Sequence, residues 1–323
     1  MKLVTYESGG QPRIGVVRDD KVYDIRRVIR YLEGGRIPRL VSQRTDFKRA
    51  SQVLRDDGFA PRDMLELLGL GKASQKALGV VIAALAKSLD PVQAPRGIFM
   101  PLAKARLLAP ILRPGKITCV GLNYADHARE QKIKPPERPI FFLKSGNTIC
   151  GPGDPIRLPP NSTQVDYEAE FAVVIGKKGR LISEEKAYDH VAGYMILNDV
   201  SARNMQVGDQ QWFRGKSCDT FGPTGPWIVT PEELSDPHRL QISLTLNGEK
   251  MQNSNTAELI FKIRFLISYL SQSLTWEVGD ILATGTPGGV GHHRQPPRYL
   301  QPGDAVSISV EGVGTLTNPV VGP

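Results

Sequence analysis

Two glutamates stand at the start of an apolar run, in the segment Asp166-Tyr167-Glu168-Ala169-Glu170-Phe171-Ala172-Val173-Val174-Ile175. Side chains alternate along a β-strand, so a strand here would place Glu168 and Glu170 on one face. Two like charges beside a buried run repel each other and resist desolvation, and a bound cation would remove both costs. The pair therefore predicts a metal site, with a solvent-facing strand edge as the alternative.

Asp199 adds a third carboxylate at the end of another apolar run, residues 193–200. Taken alone, an aspartate in this position is more typical of an Asx turn or a helix N-cap. Together with Glu168 and Glu170 it gives three carboxylates with open coordination positions, which suit a hard cation that keeps some of its waters. We predict one divalent cation, Mg²⁺ or Mn²⁺, with Ca²⁺ as the alternative.

A histidine and a glutamate, His127 and Glu130, lie three residues apart and would share one face of a helix. The carboxylate would orient the imidazole and favour its basic form, which gives a general base for a water molecule. The alternative is a surface pair worth a few tenths of a kcal/mol. The charged, proline-rich stretch that follows, up to Pro139, predicts a mobile lid that spans residues 126–139.

Lys216 and a glycine-rich segment, residues 283–291, complete the candidate chemistry. We expect Lys216, in a glycine-bounded turn, to reach an anionic oxygen; an ordinary loop lysine is the alternative. The glycine-rich segment follows a predicted strand but lacks the GxxxxGK[ST] and GxGxxG spacings of nucleotide-binding loops. Its backbone N–H groups and Thr286 are predicted to hold a carboxylate.

Short strands between Gly and Pro turns must position these residues. In the second part of the chain, the clear predicted strands are Lys116–Gly121, Glu170–Ile175, Gly193–Asp199, Gly225–Val229, Gln241–Leu246, Asp280–Ala283 and Ala305–Val310, and the predicted helices are Asp126–Gln131, Glu184–Tyr188 and Thr256–Ser271. The first part has strands at Lys2–Tyr6, Arg13–Arg18 and Lys21–Ile25, then helices at Arg27–Glu33, Thr45–Asp56, Ala60–Leu68 and Ser74–Leu89. A linker at Asp90–Arg96 separates a small N-terminal domain, 1–95, from a catalytic domain, 96–323.

Composition narrows the class of protein. The formal charge is +8 over 323 residues, but no Lys/Arg block or nucleic-acid motif occurs, which favours a solvated basic surface. Three widely spaced cysteines, without a CxxC pair, favour reduced thiols. No signal-peptide pattern and no membrane-length apolar run is present. We therefore expect a cytoplasmic protein without a membrane or nucleic-acid partner.

Five motifs occur in order along the chain: GxNYxxHAxE at Gly121–Glu130, DYExE at Asp166–Glu170, NDxSAR at Asn198–Arg203, GKSxDTFxPxGP at Gly215–Pro226 and TGTPxGVG at Thr284–Gly291. In this order they resemble the fumarylacetoacetate hydrolase family. The resemblance implies an α+β, β-rich fold: a mixed β-sheet roll with a small N-terminal α/β domain, usually assembled as a homodimer.

The resemblance also implies roles for residues. Its metal ligands match Glu168, Glu170 and Asp199, and its catalytic histidine–glutamate pair matches His127 and Glu130. A substrate-facing lysine matches Lys216, and substrate-binding positions match Arg203, Gln206 and Thr286. Asn204 departs from the aspartate common at that position but leaves the metal set intact. The resemblance does not assign Asp126 to the further aspartate ligand that some members use.

Members of this family cleave or remodel C–C bonds in 2-oxo and 1,3-dioxo acids. We therefore expect a metal-dependent hydrolase of a 2,4-dioxo acid of the acylpyruvate or fumarylpyruvate type. In it, the cation polarises the carbonyl, His127 activates water and Lys216 stabilises the enolate. Oxaloacetate-type decarboxylation, and hydration or isomerisation of 2-oxo-alkenoic acids in aromatic catabolism, are the alternatives. A non-enzymatic metal-binding protein is the rival class, and the intact His–Glu pair and lysine argue against it.

Overall fold

The structure is a computed structural model of the chain, and it describes residues 1–34, 37, 39–56, 58–89, 94–234 and 236–323. These residues form two compact units, Met1–Leu108 and Ala109–Pro323. The domain boundary expected at residue 95 stays a prediction. Residues 90–93 of the predicted linker lie outside the described residues.

The first unit combines an antiparallel meander with helices. Its strands are β1 (Lys2–Ser8), β2 (Gln11–Arg18), β3 (Lys21–Asp24), β4 (Phe99–Pro101) and β5 (Leu107–Leu108), and they pair in the order β4-β3-β2-β1-β5. The helices are α1 (Ile25–Glu33), α2 (Arg39–Ser42), α3 (Thr45–Asp56), α4 (Met64–Gly69) and α5 (Gly71–Ser88). Asp24 ends β3 and caps α1, because its side chain accepts a hydrogen bond from the Arg27 backbone N–H. The predicted elements of this unit are present with shifted ends.

The second unit is built from strands. They are β6 (Ile117–Gly121), β7 (Ile140–Lys144), β8 (Ile149–Cys150), β9 (Ile156–Arg157), β10 (Val165–Asp166), β11 (Ala169–Ile175), β12 (Val191–Asn198), β13 (Ser201–Ala202), β14 (Gly222–Val229), β15 (Gln241–Leu246), β16 (Glu249–Asn255), β17 (Ile281–Ala283), β18 (Ala305–Val310) and β19 (Gly314–Val321). One mixed sheet runs β14-β12-β11-β17-β6-β7, with β8 beside β14. A second runs β16-β15-β18-β19-β9, and β10 pairs with β13.

The central strands β11 and β12 are buried along their whole length. Central strands covered on both faces carry continuous apolar runs, which is why neither sequence alternates. Each buried Val, Ile or Phe contributes about 1.5–3 kcal/mol relative to an exposed one. This pair therefore forms the buried centre of the sheet, and the acidic residues lie together at one end of it.

Helices are short in the second unit: α6 (Ala125–Glu130), α7 (Arg203–Gly208), α8 (Phe213–Lys216) and α9 (Ile263–Ser271). Single 3-10 segments occupy Gly146–Thr148, Glu184–His190, Pro231–Glu233, Thr256–Glu258 and Gly291–His293, and Leu102–Lys104 is one in the first unit.

Two helix predictions need correction. The helix predicted from Thr256 begins only at Ile263, because Asn123 captures the intervening backbone: its carbonyl accepts from the Ile260 N–H and its side chain from the Phe261 N–H. The segment predicted as a helix at Glu184–Tyr188 is a 3-10 helix.

The α+β, β-rich fold class is confirmed, since mixed sheets dominate and helices connect them. No helix among the described residues is long and apolar enough to cross a membrane. Cys119 and Cys150 are buried and Cys218 is half-buried, and none of the three is in a disulfide with a described residue.

Candidate metal centre

The three predicted carboxylates converge because β11 and β12 are antiparallel neighbours. Glu168 directly precedes β11, Glu170 is the second residue of that strand, and Asp199 directly follows β12. The Asp199 N–H donates to the Glu168 carbonyl at 3.0 Å, so the two strand ends are fastened together. One ligand oxygen from each of the three side chains lies within 4.8 Å of the others, and all three residues are buried.

Three buried cations surround the carboxylates. Lys216 Nζ lies 2.8 Å from Glu168 Oε2 and 2.7 Å from Asp199 Oδ2. Lys144 Nζ, which the sequence analysis missed, lies 2.6 Å from Asp199 Oδ1. The Arg203 guanidinium contacts Glu168 Oε1 at 2.6 Å and also pairs with a fourth carboxylate, Asp166.

Glu170 is the carboxylate of this group that has no ammonium or guanidinium partner among the described residues. Its Oε2 accepts one hydrogen bond, from the Gly285 N–H at 3.0 Å. Burial, together with the charges of Asp199 and Glu168, raises the pKa of Glu170 well above its usual value. Burial opposes ionisation of Glu168 as well, but the neighbouring Lys216 and Arg203 lower its pKa to about 2. Counted with Asp166, four carboxylates face three cations, so the fully ionised group would carry one negative charge that these cations do not balance.

This chemistry fits a hard divalent cation. Carboxylate oxygens are the ligands that Mg²⁺, Mn²⁺ and Ca²⁺ take in proteins. Glu168, Glu170 and Asp199 would hold the ion, and it would relieve the repulsion that raises the pKa of Glu170. Asp126 does not join them: it accepts hydrogen bonds from the His127 N–H and from Ser254 Oγ.

His127 and Glu130 form the predicted pair on helix α6. His127 Nδ1 lies 3.1 Å from Glu130 Oε2, and His127 Nε2 lies 2.9 Å from the amide nitrogen of Gln131. With Nδ1–H donating to the carboxylate, Nε2 carries the lone pair. Burial tends to raise the pKa of Glu130, but the bonds from His127 and from the Gly289 N–H lower it overall. In that tautomer Nε2 is the accepting nitrogen of the ring, and the Gln131 amide donates to it in this structure.

The glycine-rich segment was predicted to hold a carboxylate with its N–H groups and Thr286. Three of its N–H groups donate to carboxylates of the protein itself. Gly285 donates to Glu170, Gly289 to Glu130 and Gly291 to Asp166. Gly285 has φ +102°, and a Cβ there would lie 2.9 Å from the Cβ of Asn123, so only glycine fits this approach. The segment braces the acidic residues of the site.

Lys216 also differs from its predicted setting. It ends helix α8 instead of lying in a turn, and its side chain is almost fully buried on the carboxylates. Thr286 Oγ1 accepts a hydrogen bond from Gln252 at 2.9 Å. Gln206 accepts one from Arg203 at 3.0 Å. The substrate-binding roles of these residues and of Arg203 stay predictions.

A cavity of about 370 Å³ opens beside the carboxylates. Its lining brings together seven of the predicted residues: His127, Glu168, Glu170, Arg203, Gln206, Lys216 and Thr286. Asp199 and Glu130 do not line the cavity but contact residues that do: Asp199 pairs with Lys216, and Glu130 with His127. The sequence analysis missed the other lining residues, which are Val120, Gly121, Leu122, Gln131, Phe142, Val207, Gln210, Trp212, His292 and His293. The two adjacent histidines, His292 and His293, directly follow the glycine-rich segment and could have been recognised there as candidate site residues.

Comparisons with known proteins agree with this geometry. The family model "Fumarylacetoacetate (FAA) hydrolase C-terminal" matches residues 116–321. The mitochondrial oxaloacetate tautomerase FAHD2A of Bos taurus is 48% identical over 263 residues, covering 81% of this chain and 80% of that protein. The fumarylacetoacetate hydrolase of Exiguobacterium antarcticum matches with a TM-score of 0.78 and 34% identity, over 100% of both chains.

A third relative is named for another reaction. The 2-hydroxyhepta-2,4-diene-1,7-dioate isomerase of Mycobacterium marinum matches with a TM-score of 0.70 and 32% identity, over 100% of this chain and 98% of that one. The family profile, the curated relative and both structures lead to one classification. The chain belongs to the fumarylacetoacetate hydrolase family.

Proposed function

We propose that this enzyme interconverts the enol and keto forms of a small 2-oxo dicarboxylate of the oxaloacetate type. The observation that carries the proposal is the position of His127: the residue lines the same cavity as Glu168 and Glu170, and Glu130 holds its Nδ1. The 48% identity to a protein named an oxaloacetate tautomerase supports this choice of substrate.

The site residues divide the work. Glu168, Glu170 and Asp199 would hold Mg²⁺ or Mn²⁺, which supplies Lewis-acid polarisation of the 2-oxo carbonyl. His127 takes the proton from the carbon next to that carbonyl, or returns it, at Nε2, and the enol oxygen exchanges its own proton with solvent water. Glu130 stabilises the imidazolium that forms, because its carboxylate lies 3.1 Å from Nδ1. The buried ammonium of Lys216 lowers the energy of negative charge on the substrate oxygen.

A second candidate is the reaction expected from the sequence, hydrolytic C–C cleavage of a 2,4-dioxo acid. The His127–Glu130 pair favours it, since a base held in this way also deprotonates water. The Exiguobacterium antarcticum relative is named as a hydrolase. Decarboxylation of oxaloacetate, and isomerisation of 2-oxo-alkenoic acids, need the same stabilised enolate without an attacking water.

Parallel assays of one preparation separate these reactions. Ketonisation of enol-oxaloacetate is followed by loss of its ultraviolet absorbance, and C–C cleavage of acetylpyruvate by pyruvate release, each with Mn²⁺ and with chelator. We expect metal-dependent ketonisation well above the rate in buffer with Mn²⁺ alone. A rate equal to that buffer rate, with rapid pyruvate release from acetylpyruvate, would reject the tautomerase in favour of the hydrolase.

His127→Asn tests the assigned base. General acid–base catalysis typically contributes about 10²–10⁴-fold, so kcat should fall by that factor. The metal-dependent rise in Tm should persist, because His127 is not a ligand of the triad. Glu258→Gln is the matched control. It removes the ion-pair partner of Arg129, which lies on helix α6 with His127, and it should keep full activity. Undiminished ketonisation by His127→Asn would show that another group moves the proton.

Three further assignments remain proposals. We propose that the protein is a homodimer, that the bound ion is Mg²⁺ or Mn²⁺, and that the protein is cytoplasmic. The cited Bos taurus relative is named as mitochondrial. Mass measurement, metal analysis and microscopy of a tagged chain would test them in turn.

A further inference from the structure

Two neighbouring histidines line the cavity and have no role in the reaction described above. His292 and His293 end the 3-10 segment Gly291–His293, and both line the cavity that holds Glu168, Glu170 and His127. The His293 ring lies 5.8 Å from the His127 ring, centroid to centroid, and 5.0 Å from the His292 ring. The cavity therefore has an imidazole cluster in addition to its carboxylate floor.

The histidines lie on a fixed turn. The N–H groups of Gly291 and His292 donate to the two oxygens of Asp166, at 2.8 and 3.0 Å. The same carboxylate holds the Arg203 guanidinium. A Cβ at Gly291 would collide with the carbonyl oxygen of Arg298, so the turn packs tightly against the segment that follows it. The position of the two rings is thus tied to the floor of the site through Asp166.

The rings also have hydrogen-bonding capacity to offer. His292 Nδ1 is engaged by the Tyr299 hydroxyl at 2.9 Å, which leaves Nε2 for a ligand. The His293 side chain makes ring contacts but has no hydrogen bond to any described residue. His293 is exposed and His292 is half-buried, whereas Glu168 and Glu170 are buried. The rings therefore lie toward the mouth of the cavity and the carboxylates toward its floor.

The cations of the cavity are already committed. Lys216 bridges Glu168 and Asp199, and Arg203 bridges Glu168 and Asp166. A substrate whose 2-oxo acid group lies at the floor would direct its other end toward the mouth, where the two imidazoles remain available.

We infer that His292 and His293 form a subsite for the distal carboxylate of the substrate and so select 2-oxo dicarboxylates over 2-oxo monocarboxylates. This inference rests on the proposed function, because it takes the 2-oxo acid end to lie at the carboxylate floor. Each imidazole N–H donates a hydrogen bond to the distal carboxylate, and a bond to a charged acceptor is worth more than a neutral one.

The charges around the rings give the subsite a pH response. Burial, then Arg203, lowers the pKa of His292 against the pull of Asp166. Burial, then His127 and His292, lowers the pKa of His293 against the pull of Glu130. These surroundings therefore favour the neutral form of each ring, and Tyr299 also faces His292. An incoming carboxylate favours the charged form of each ring, so affinity for a dicarboxylate should rise as the pH falls, and that for a monocarboxylate should rise less.

Two stable chelators test the subsite by binding alone. Oxalate offers the chelating end without an arm, and N-oxalylglycine offers the same end with a distal carboxylate. Calorimetric titration of the Mn²⁺-loaded protein gives the ratio of their affinities. For His293→Asn we expect about a tenfold loss of the preference for N-oxalylglycine, the size of one hydrogen bond to a charged group, with oxalate affinity unchanged. Because His293 is exposed, this change should leave folding intact.

Two more variants test the sign of the charge effect and its location in the cavity. His293→Lys places a permanent cation at the mouth and should raise the preference for N-oxalylglycine instead of lowering it. Gln295→Ala, an exposed neighbour that does not line the cavity, should leave the ratio unchanged. An unchanged ratio in both His293 variants, with both chelators binding, would overturn the subsite and leave the proposed function standing. Failure of both chelators to bind the wild-type holoprotein would overturn the two together.

Discussion

Glu170→Gln is the sharpest test of the metal centre, because glutamine keeps the shape of the side chain and removes its charge. The glutamine oxygen still accepts the Gly285 N–H, so the local hydrogen bond survives. In the metal-free protein, Asp199 and Glu168 repel a charged Glu170 at a buried position. We therefore expect the metal-free variant to be at least as stable as the metal-free wild type.

The magnitude follows from ligand linkage. At a metal concentration of 100 times Kd, binding stabilises the native state by about 2.7 kcal/mol. For a unit the size of Ala109–Pro323, 1 kcal/mol shifts Tm by about 2–4 °C, so wild type should gain about 5–11 °C. Loss of one partner from a buried charge pair costs about 3–5 kcal/mol, which weakens binding by at least a hundredfold. At the same metal concentration, the metal should then stabilise the variant by only about 0.4 kcal/mol, which raises its Tm by about 1–2 °C.

Thermal melts of chelator-treated protein, with Mn²⁺ titrated back, give the Tm of the metal-free protein and the metal-dependent rise in Tm in one experiment. Glu184→Gln removes an exposed carboxylate far from the triad in sequence and serves as the control, with an unchanged response to metal. A wild-type rise in Tm that survives Glu170→Gln would refute the triad as the metal site. A metal-free variant that melts several degrees below wild type would refute the argument from charge repulsion.

Three other outcomes are expected. The half-buried imidazole of His238 has a pKa lowered to about 4 by burial and then by Lys262, while its unfolded value is about 6.5, so the unfolded chain takes up the proton first as the pH falls. The free energy of unfolding of wild type should therefore fall relative to that of His238→Gln as the pH is lowered from about 6.5 to about 4. Paired denaturant titrations measure this difference, and parallel curves would contradict it. Ile140 and Leu143 are exposed on β7, the last strand in the order of its sheet, and such an apolar edge suits pairing with a second copy of the chain. Light scattering should give the mass of a dimer for wild type and a lower mass for Leu143→Lys. A monomeric wild type would reject the homodimer. Hydrogen exchange across residues 126–139, where Ile133 is exposed, should slow when oxalate binds the metal-loaded protein, and equal exchange in both states would reject the lid.

The parts of the site that follow from local sequence were predictable. A strand that begins near Glu168 places it and Glu170 on one face, and a strand that ends near Asp199 leaves that carboxylate at an edge. The spacing of His127 and Glu130 predicts their contact, since three residues span one helical turn. Each of these inferences needs only the geometry of a single element.

The missed parts depend on contacts between elements far apart in sequence. Lys144 and its partner Asp199 are 55 residues apart, and the Gly291 N–H and Asp166 are 125 apart. No periodic pattern in the local sequence predicts which carboxylate a lysine contacts. The early part of the helix predicted at Thr256–Ser271 fails for the same reason, because Asn123 offers its backbone alternative partners. Tertiary hydrogen bonds overrode a valid apolar periodicity there.

The carboxylates at the floor of the cavity and the exposed residues at its mouth lie on different elements, and this affects which substitutions the protein tolerates. Glu168 and Asp199 sit at strand ends and are tied to Lys216 by ion pairs, so a change at either carboxylate disturbs folding and chemistry together. His293 and Val207 at the mouth are exposed and lie on a short turn and a short helix. Exposed positions of this kind usually change stability by less than about 0.5 kcal/mol when substituted. Selection or design can therefore alter the mouth of the cavity at little cost in stability while the carboxylate floor stays the same.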